Sequence, residues 1–305
     1  MGITEPARVG FLTDSHLYSW QARAIERLQR DLDIEIPLVV SKSRDTDRDD
    51  EPRTTKKLVG LDDVKRICNS AWREKAWALV LAERTVAELL GDDRQLWRRV
   101  DVESIECFDG AEHVRCDPQT ENGWTEFPED VVTKVSERCD VAVRFGFGLI
   151  RGDILTAPEY GVLSFHPSDI RSYRGMGPPP IFYDERTTAG ATLQRLNETI
   201  DGGQIVAYDE VYVGDCYTLW DVFDRIARLQ ISLLADGIDN LHDPSFEPKT
   251  VPDEELGDYH ALSRRRELEF SGRIVMKNLS GRIRRRVRKT VEDGADGAFG
   301  GRYAE

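Results

Sequence analysis

Cysteine is sparse and scattered: Cys68, Cys107, Cys116, Cys139 and Cys216 are odd in number and show no CxxC spacing. That offers neither a disulfide framework nor a zinc knuckle, and it fits a reducing compartment. The opening MGITEPARVGFL lacks the basic-then-apolar pattern of a secretory signal, and no apolar run reaches the length of a membrane span. These absences predict a cytoplasmic protein with no transmembrane segment. Positive charge is also short, 42 Lys and Arg against 56 Asp and Glu, for a net charge of −14. Such a balance favours solubility and works against a general nucleic-acid binder. The preference for Asp, Glu and Arg over Lys is also a pattern of proteins adapted to high salt. Neither GxGxxG nor GxxxxGK[ST] opens a helix at the glycine-rich FGFGL, so no phosphate fingerprint stands there. His16, His113, His242 and His260 stand apart from one another without ligand-type spacing, and no metal is expected.

What is present is an alternation of apolar strands and amphipathic helices. RVGFLTD (8–14) reads as a first buried strand, and Ala22, Ile25, Leu28 and Leu32 follow at helical spacing. IEIPLVVS then supplies a second strand, and strand–helix–strand over so short a stretch is a right-handed βαβ unit. SIECFDG and HVRCDP read as short strand-and-turn pieces, and PEDVVTKVSERC as a helix with Pro128 near its first turn. Strands are expected at DVAVRFGFGLI (140–150) and before His166, and on both sides of the IDGGQI turn. Leu219, Val222, Phe223, Ile226, Leu229, Leu233 and Leu234 line one side of a long helix. The predicted fold class is α/β, an open Rossmann-like, mostly parallel sheet with helices on both faces and a short basic helical C-terminal tail.

The chain divides into an α/β domain over 1–240, an appendage with a basic helix over 241–290, and a disordered tail over 291–305. Within the first, 42–59 reads as a charged surface loop and 61–98 as a helical insertion stopping near Gly91. From 261 to 290 there are eleven Lys or Arg against two Glu, and Phe270, Ile274, Leu279, Ile283 and Val287 are spaced to line one helical face. That helix fits RNA, an anionic membrane surface or plain solvent.

The chemistry is expected where two strands end, at 145–150 and 163–166, because ligands of open parallel sheets bind beyond the carboxyl ends of strands. Gly146 and Gly148 read either as turn glycines or as backbone left open to a flat ring. Asp201, before two glycines, reads as a turn residue or, paired with His166, as the carboxylate that holds an imidazole in one tautomer.

The segments YGVLSFHPSDIRSYRGMGP and GATLQRLNETIDGGQIV, with DVAVRFGFGLIRGDILTAPEYG before them, resemble the formyltransferases that use 10-formyltetrahydrofolate. The similarity covers about residues 130 to 235. It implies a Rossmann-like formyltransferase domain with an Asn–His–Asp set, in which His166 and Asp201 take the His and Asp positions and Ser164 stands where the family has Asn. It further implies a pterin against Phe147, Gly148, Leu149, Ile150 and Arg151, held mainly by backbone, with His166 stabilising the developing oxyanion and Asp201 orienting it. A serine hydroxyl in place of the amide leaves either Ser164 with a neighbouring N–H, or a repurposed site. The acceptor expected from the resemblance is a small-molecule amine such as a nucleotide-linked amino sugar, because the tRNA enzymes carry a further β-barrel domain. Methionyl-tRNA, hydrolysis of formyltetrahydrofolate, and a catalytically retired folate-binding module stay open as alternatives. The oligomeric state is not legible.

Overall fold

The computed structural model describes residues 8–43 and 75–299. Its centre is a seven-stranded sheet. In chain order the strands are β1 (Val9–Thr13), β2 (Leu38–Lys42), β3 (Glu112–Cys116), β4 (Val141–Arg144), β5 (Val162–His166), β6 (Thr188–Arg195) and β7 (Gln204–Tyr212). The helices that matter here are α1 (Ser19–Asp31), α2 (Trp77–Leu89), α3 (Glu129–Arg138), α4 (Pro178–Tyr183), α5 (Leu219–His242) and α6 (Leu268–Phe299).

Across the sheet the order is β7-β6-β5-β4-β1-β2-β3. The five strands from β5 to β3 run parallel, whereas β6 and β7 turn back antiparallel at one edge. The chain lays β1, β2 and β3 outward in one direction, then returns to place β4 on the other side of β1. That reversal opens a crevice beyond the carboxyl ends of β1 and β4, the position where such sheets take ligands.

Each central strand is buried on both faces, so its residues serve two cores. Phe11, Val143 and Leu163 face the principal core, with Ile25 and Leu28 of α1 and Val222, Ile226 and Leu233 of α5. Leu12, Val40, Ala142 and Val162 face a smaller core closed by Val131 and Val135 of α3. The start of α5 is fixed by a capping box: the Thr218 hydroxyl accepts from the Asp221 N–H, and the Asp221 carboxylate accepts from the Thr218 N–H.

Several elements differ from the sequence reading. The second strand begins only at Leu38, because Pro37 has no N–H to give to a ladder. HVRCDP forms the parallel edge strand β3, and SIECFDG forms a 3₁₀ turn over Glu106–Phe108, just after another over Val102–Ser104. Of the 61–98 insertion, 61–74 lies outside the described residues, and α2 ends just before Gly91, whose φ of +93° breaks the helix. Apart from Lys42 and Ser43, the 42–59 loop also lies outside them.

The basic helix differs most from the sequence reading. Phe270 and Ile274 of α6 are 1 % and 0 % exposed and belong to the principal core, while Leu279, Ile283 and Val287 are exposed. The first turns of α6 are therefore part of the fold and not an appendage to it. The helix also runs on to Phe299, into the stretch expected to be disordered, and 300–305 lies outside the described residues. No helix among the described residues is long and apolar enough to cross a membrane.

Candidate active site

Strand alternation places Ser164 and His166 on the same face of β5, two residues apart at its carboxyl end. Its neighbours then decide what those side chains meet. In register, Ser164 lies beside Arg144 of β4 and Gln194 of β6, and His166 lies beside Thr192.

His166 is 3 % exposed. Its Nδ1 lies 3.1 Å from Asp201 Oδ1, and its Nε2 lies 3.0 Å from the Tyr173 carbonyl oxygen. Both ring nitrogens thus face oxygen atoms that can accept a hydrogen bond. The Tyr173 carbonyl also accepts from the Ser168 hydroxyl at 2.7 Å. Asp201 sits in the turn before β7 with φ +50°, and its Oδ2 accepts from the Gly175 N–H at 2.7 Å. Gly175 has φ +88°, and a Cβ there would run into the His260 carbonyl, so glycine alone lets this donor reach the carboxylate. Burial by itself would raise the Asp201 carboxyl. The hydrogen bond and charge of His166, the Gly175 N–H and nearby Arg144 outweigh it and hold Asp201 below its ordinary value.

Ser164, 1 % exposed, accepts two hydrogen bonds from Arg144, from Nε at 3.1 Å and Nη2 at 2.7 Å. The Arg144 Nη1 donates to the Gly148 carbonyl. A hydroxyl oxygen that accepts from a guanidinium keeps its own hydrogen to give elsewhere, and among the described residues nothing accepts it. Burial pulls the Arg144 guanidinium down from its ordinary value, partly offset by the Asp201 and Asp14 carboxylates, and it stays a cation.

The expected cofactor segment is split by the structure. The side chains of Phe147 and Ile150 are buried in the smaller core, with Phe147 against Phe127 at 4.7 Å between ring centroids. Leu149 is partly exposed, and Arg151 pairs with Glu126 and Glu121. Of these five residues only Gly148 lines the crevice; Phe147 and Gly148 have φ of +66° and +65°. A Cβ on Gly148 would meet nothing within 4 Å, whereas one on Gly146 would strike the Thr13–Asp14 backbone. Gly146 is thus a packing glycine and Gly148 an open one.

The crevice is a cavity of about 400 Å³. Phe145 and Phe165 of its walls come from the strand ends where the chemistry was expected, and the rest from elements that sequence reasoning left out of the site: Tyr18 and Trp20 at the start of α1, Trp97, and Phe223 with Gln230 on α5. Trp20 stands edge-on to Phe145 and Phe165 at 5.9 and 5.8 Å. Phe223 was legible as an α5 residue, but nothing in its spacing distinguishes a cavity wall from a core position. Arg144 carried the better signal, a lone charge at the end of the otherwise apolar VAV. Among the described residues no group of three or more His, Cys, Asp or Glu is placed to hold a metal ion.

Residues 107–238 match a protein family described as formyl transferase. Over 132 residues the chain is 28 % identical to the methionyl-tRNA formyltransferase of Bacillus thuringiensis (strain Al Hakam), covering 42 % of this chain and 41 % of that protein. The enzyme of Bacillus anthracis (strain CDC 684 / NRRL 3495) matches to the same extent. The match thus spans about two fifths of the length of these curated relatives. Among solved structures, the N-formyltransferase from Helicobacter canadensis in complex with folinic acid and dTDP-3-aminofucose aligns with a TM-score of 0.51 at 9 % identity. The alignment covers 88 % of this chain and 79 % of that one, a likeness of fold.

Proposed function

We propose that the protein moves a formyl group from 10-formyltetrahydrofolate to a primary amine of a small molecule, a reading supported by the similarity of residues 107–238 to the formyl transferase family. The observation that carries this reading is the His166–Asp201 pair at 3.1 Å, set at a strand end beside the Arg144–Ser164 contact and the switch-point crevice. The space at Gly148, where a Cβ would meet nothing within 4 Å, leaves room for a flat ring, so the folate is assigned to the Gly148 side. The formyl folate supplies an activated one-carbon acyl group.

The chain's own residues divide the remaining work. Negative charge builds on the formyl oxygen as the amine attacks, and the Ser164 hydroxyl, held by Arg144, is the donor that replaces the family's Asn. A fixed donor at such a position is worth about 10²–10³ in rate. The attacking amine must be neutral and must shed a proton. Asp201, 17 % exposed at its side chain against 4 % for His166, is the reachable acceptor for that proton, directly or through water. His166 orients Asp201 and supports the charge near the reacting carbon. The new C–N bond forms to the amine, the bond to the folate nitrogen breaks, and the proton passes to that nitrogen.

The reading places the chemistry within residues 1–240, with α6 bracing it, in a cytoplasmic setting that suits the free thiols Cys107, Cys116, Cys139 and Cys216. The test is release of tetrahydrofolate with and without amines, charged initiator tRNA included, in wild-type, His166→Ala and Asp201→Asn proteins. Amine-dependent release that falls by about 10² or more in both variants is expected, with folate binding kept. Amine-independent release would make the protein a hydrolase. Bound folate with no release in any lane would make it a retired module.

A further inference from the structure

The cavity beside Ser164 has a chemistry of its own. Six aromatic side chains form its walls: Tyr18, Trp20, Trp97, Phe145, Phe165 and Phe223. Trp20 stands edge to face against Phe145 and Phe165, and Trp97 against Phe223 at 5.5 Å, while Phe145 and Phe165 lie nearly parallel at 6.1 Å. Such walls favour a ring that can add to the set. Charge is nearly absent from the lining. Arg144 is its one cation, already committed to Ser164 and the Gly148 carbonyl, and Asp14 is its one carboxylate, accepting from the Phe147 N–H at 3.1 Å.

A diphosphate group is recognised by several cations or by a fan of N–H donors, commonly a bidentate arginine. This lining has no uncommitted cation to offer one. It does offer neutral polar handles, among them the Trp20 indole N–H, the Ser164 hydroxyl and Gln230. Gln230 is 3 % exposed, lines the cavity, and makes no side-chain hydrogen bond to any described residue. The Trp20 indole N–H, buried in the same lining without a partner among the described residues, is costly unless a ligand atom meets it.

We propose that this cavity receives the acceptor, and that the acceptor is an aromatic primary amine without phosphate groups, carrying a polar substituent for Gln230. This rests on the formyl-transfer reading, in which the folate takes the Gly148 side and the amine must approach Ser164 from the other. It replaces the nucleotide-linked amino sugar expected from sequence resemblance with a smaller, less charged class. The cavity, at about 400 Å³, is within the range of small-molecule sites.

The test is a binding titration in the absence of folate, followed by tryptophan fluorescence, since Trp20 and Trp97 line the cavity. The probes are tyramine, phenethylamine and UDP-glucosamine. Tyramine is expected to bind at least about tenfold more tightly than UDP-glucosamine. Phe223→Ala should weaken it by about tenfold through lost ring contact. Gln230→Leu, which keeps the volume, should weaken tyramine but leave phenethylamine unchanged; this split separates a hydrogen bond from a general loss of folding. UDP-glucosamine binding as tightly as tyramine, or no binding of either aromatic amine, would overturn the proposal. Formylation of UDP-glucosamine alone would sink it while leaving formyl transfer intact. Tight tyramine binding with no formylation of any amine would sink formyl transfer and leave the cavity's preference standing.

Discussion

Ser164 departs from the residue that the resemblance calls for, and the structure gives the departure a physical setting. Its oxygen is held by two guanidinium nitrogens of Arg144, so a short side chain that would otherwise rotate has a fixed lone-pair direction. Replacing Arg144 with Met should therefore lower kcat by about 10²-fold with KM for the folate little changed, the signature of a donor used only as charge develops. Equal loss in kcat and in folate affinity would instead mark Arg144 as a ground-state binding residue. Asp201 gives a second prediction, read in stability. Its carboxyl is held below the ordinary 3.8, so it binds protons less readily folded than unfolded. Its stabilisation is then fully present above about pH 4 and is lost as the pH falls through the depressed folded value. Urea unfolding midpoints of wild type and Asp201→Asn should differ at pH 6 and converge on acidification. A gap that stays constant down to pH 3 would contradict the assignment.

Glycines in α6 and its neighbours separate packing demands from helix propensity. Gly281 lies against Tyr217, and a Cβ would drive into that residue's carbonyl; Gly272 has nothing within 4 Å of the same position. Gly281→Ala should destabilise by about 1–3 kcal/mol through forced displacement of backbone. Gly272→Ala, in the second turn of α6 and unobstructed, should stabilise by about 0.5–1 kcal/mol. Chemical denaturation of the two single variants checks both signs at once. The elements themselves were largely readable from sequence, because α1 and α5 bury residues at helical spacing and β1 and β4 are apolar runs bounded by polar turns. His166 at a strand end and Asp201 before two glycines were readable because both lie in contiguous motifs. Arg144 on Ser164 was not, since their meeting depends on the lateral register of β4 and β5, which no local pattern encodes. The aromatic cavity was hidden for the same reason. Tyr18, Trp97, Phe165 and Phe223 come from four separate stretches and converge only once the sheet is closed by α5.

At the scale of the molecule, the basic tail proves to be joined to the acidic remainder. Arg94, 8 % exposed at its side chain, bridges Asp92, Asp221 and Asp224, and Arg282 and Arg285 of α6 reach Glu83, Asp92 and Asp221. Burial alone would lower Arg94, but the Asp224 and Asp221 carboxylates outweigh it and raise it. Part of the positive charge of α6 is thus spent inside the protein, which explains why a run so rich in arginine sits in a chain of net charge −14. It also makes α6 a structural member. Phe270→Ala should cost about 3–5 kcal/mol and shift a single unfolding transition as a whole. Two separate transitions, with the first alone affected, would restore the appendage reading.

The central claim is that the carbon leaves the folate for an amine nitrogen. Following a ¹³C-labelled formyl group by NMR, with the protein, labelled 10-formyltetrahydrofolate and tyramine together, tests it directly. The account predicts a new formamide carbon signal that grows with the protein and fails to appear with His166→Ala. Label recovered as formate, or left on the folate in every sample, including those with UDP-glucosamine or charged initiator tRNA in place of tyramine, would contradict it.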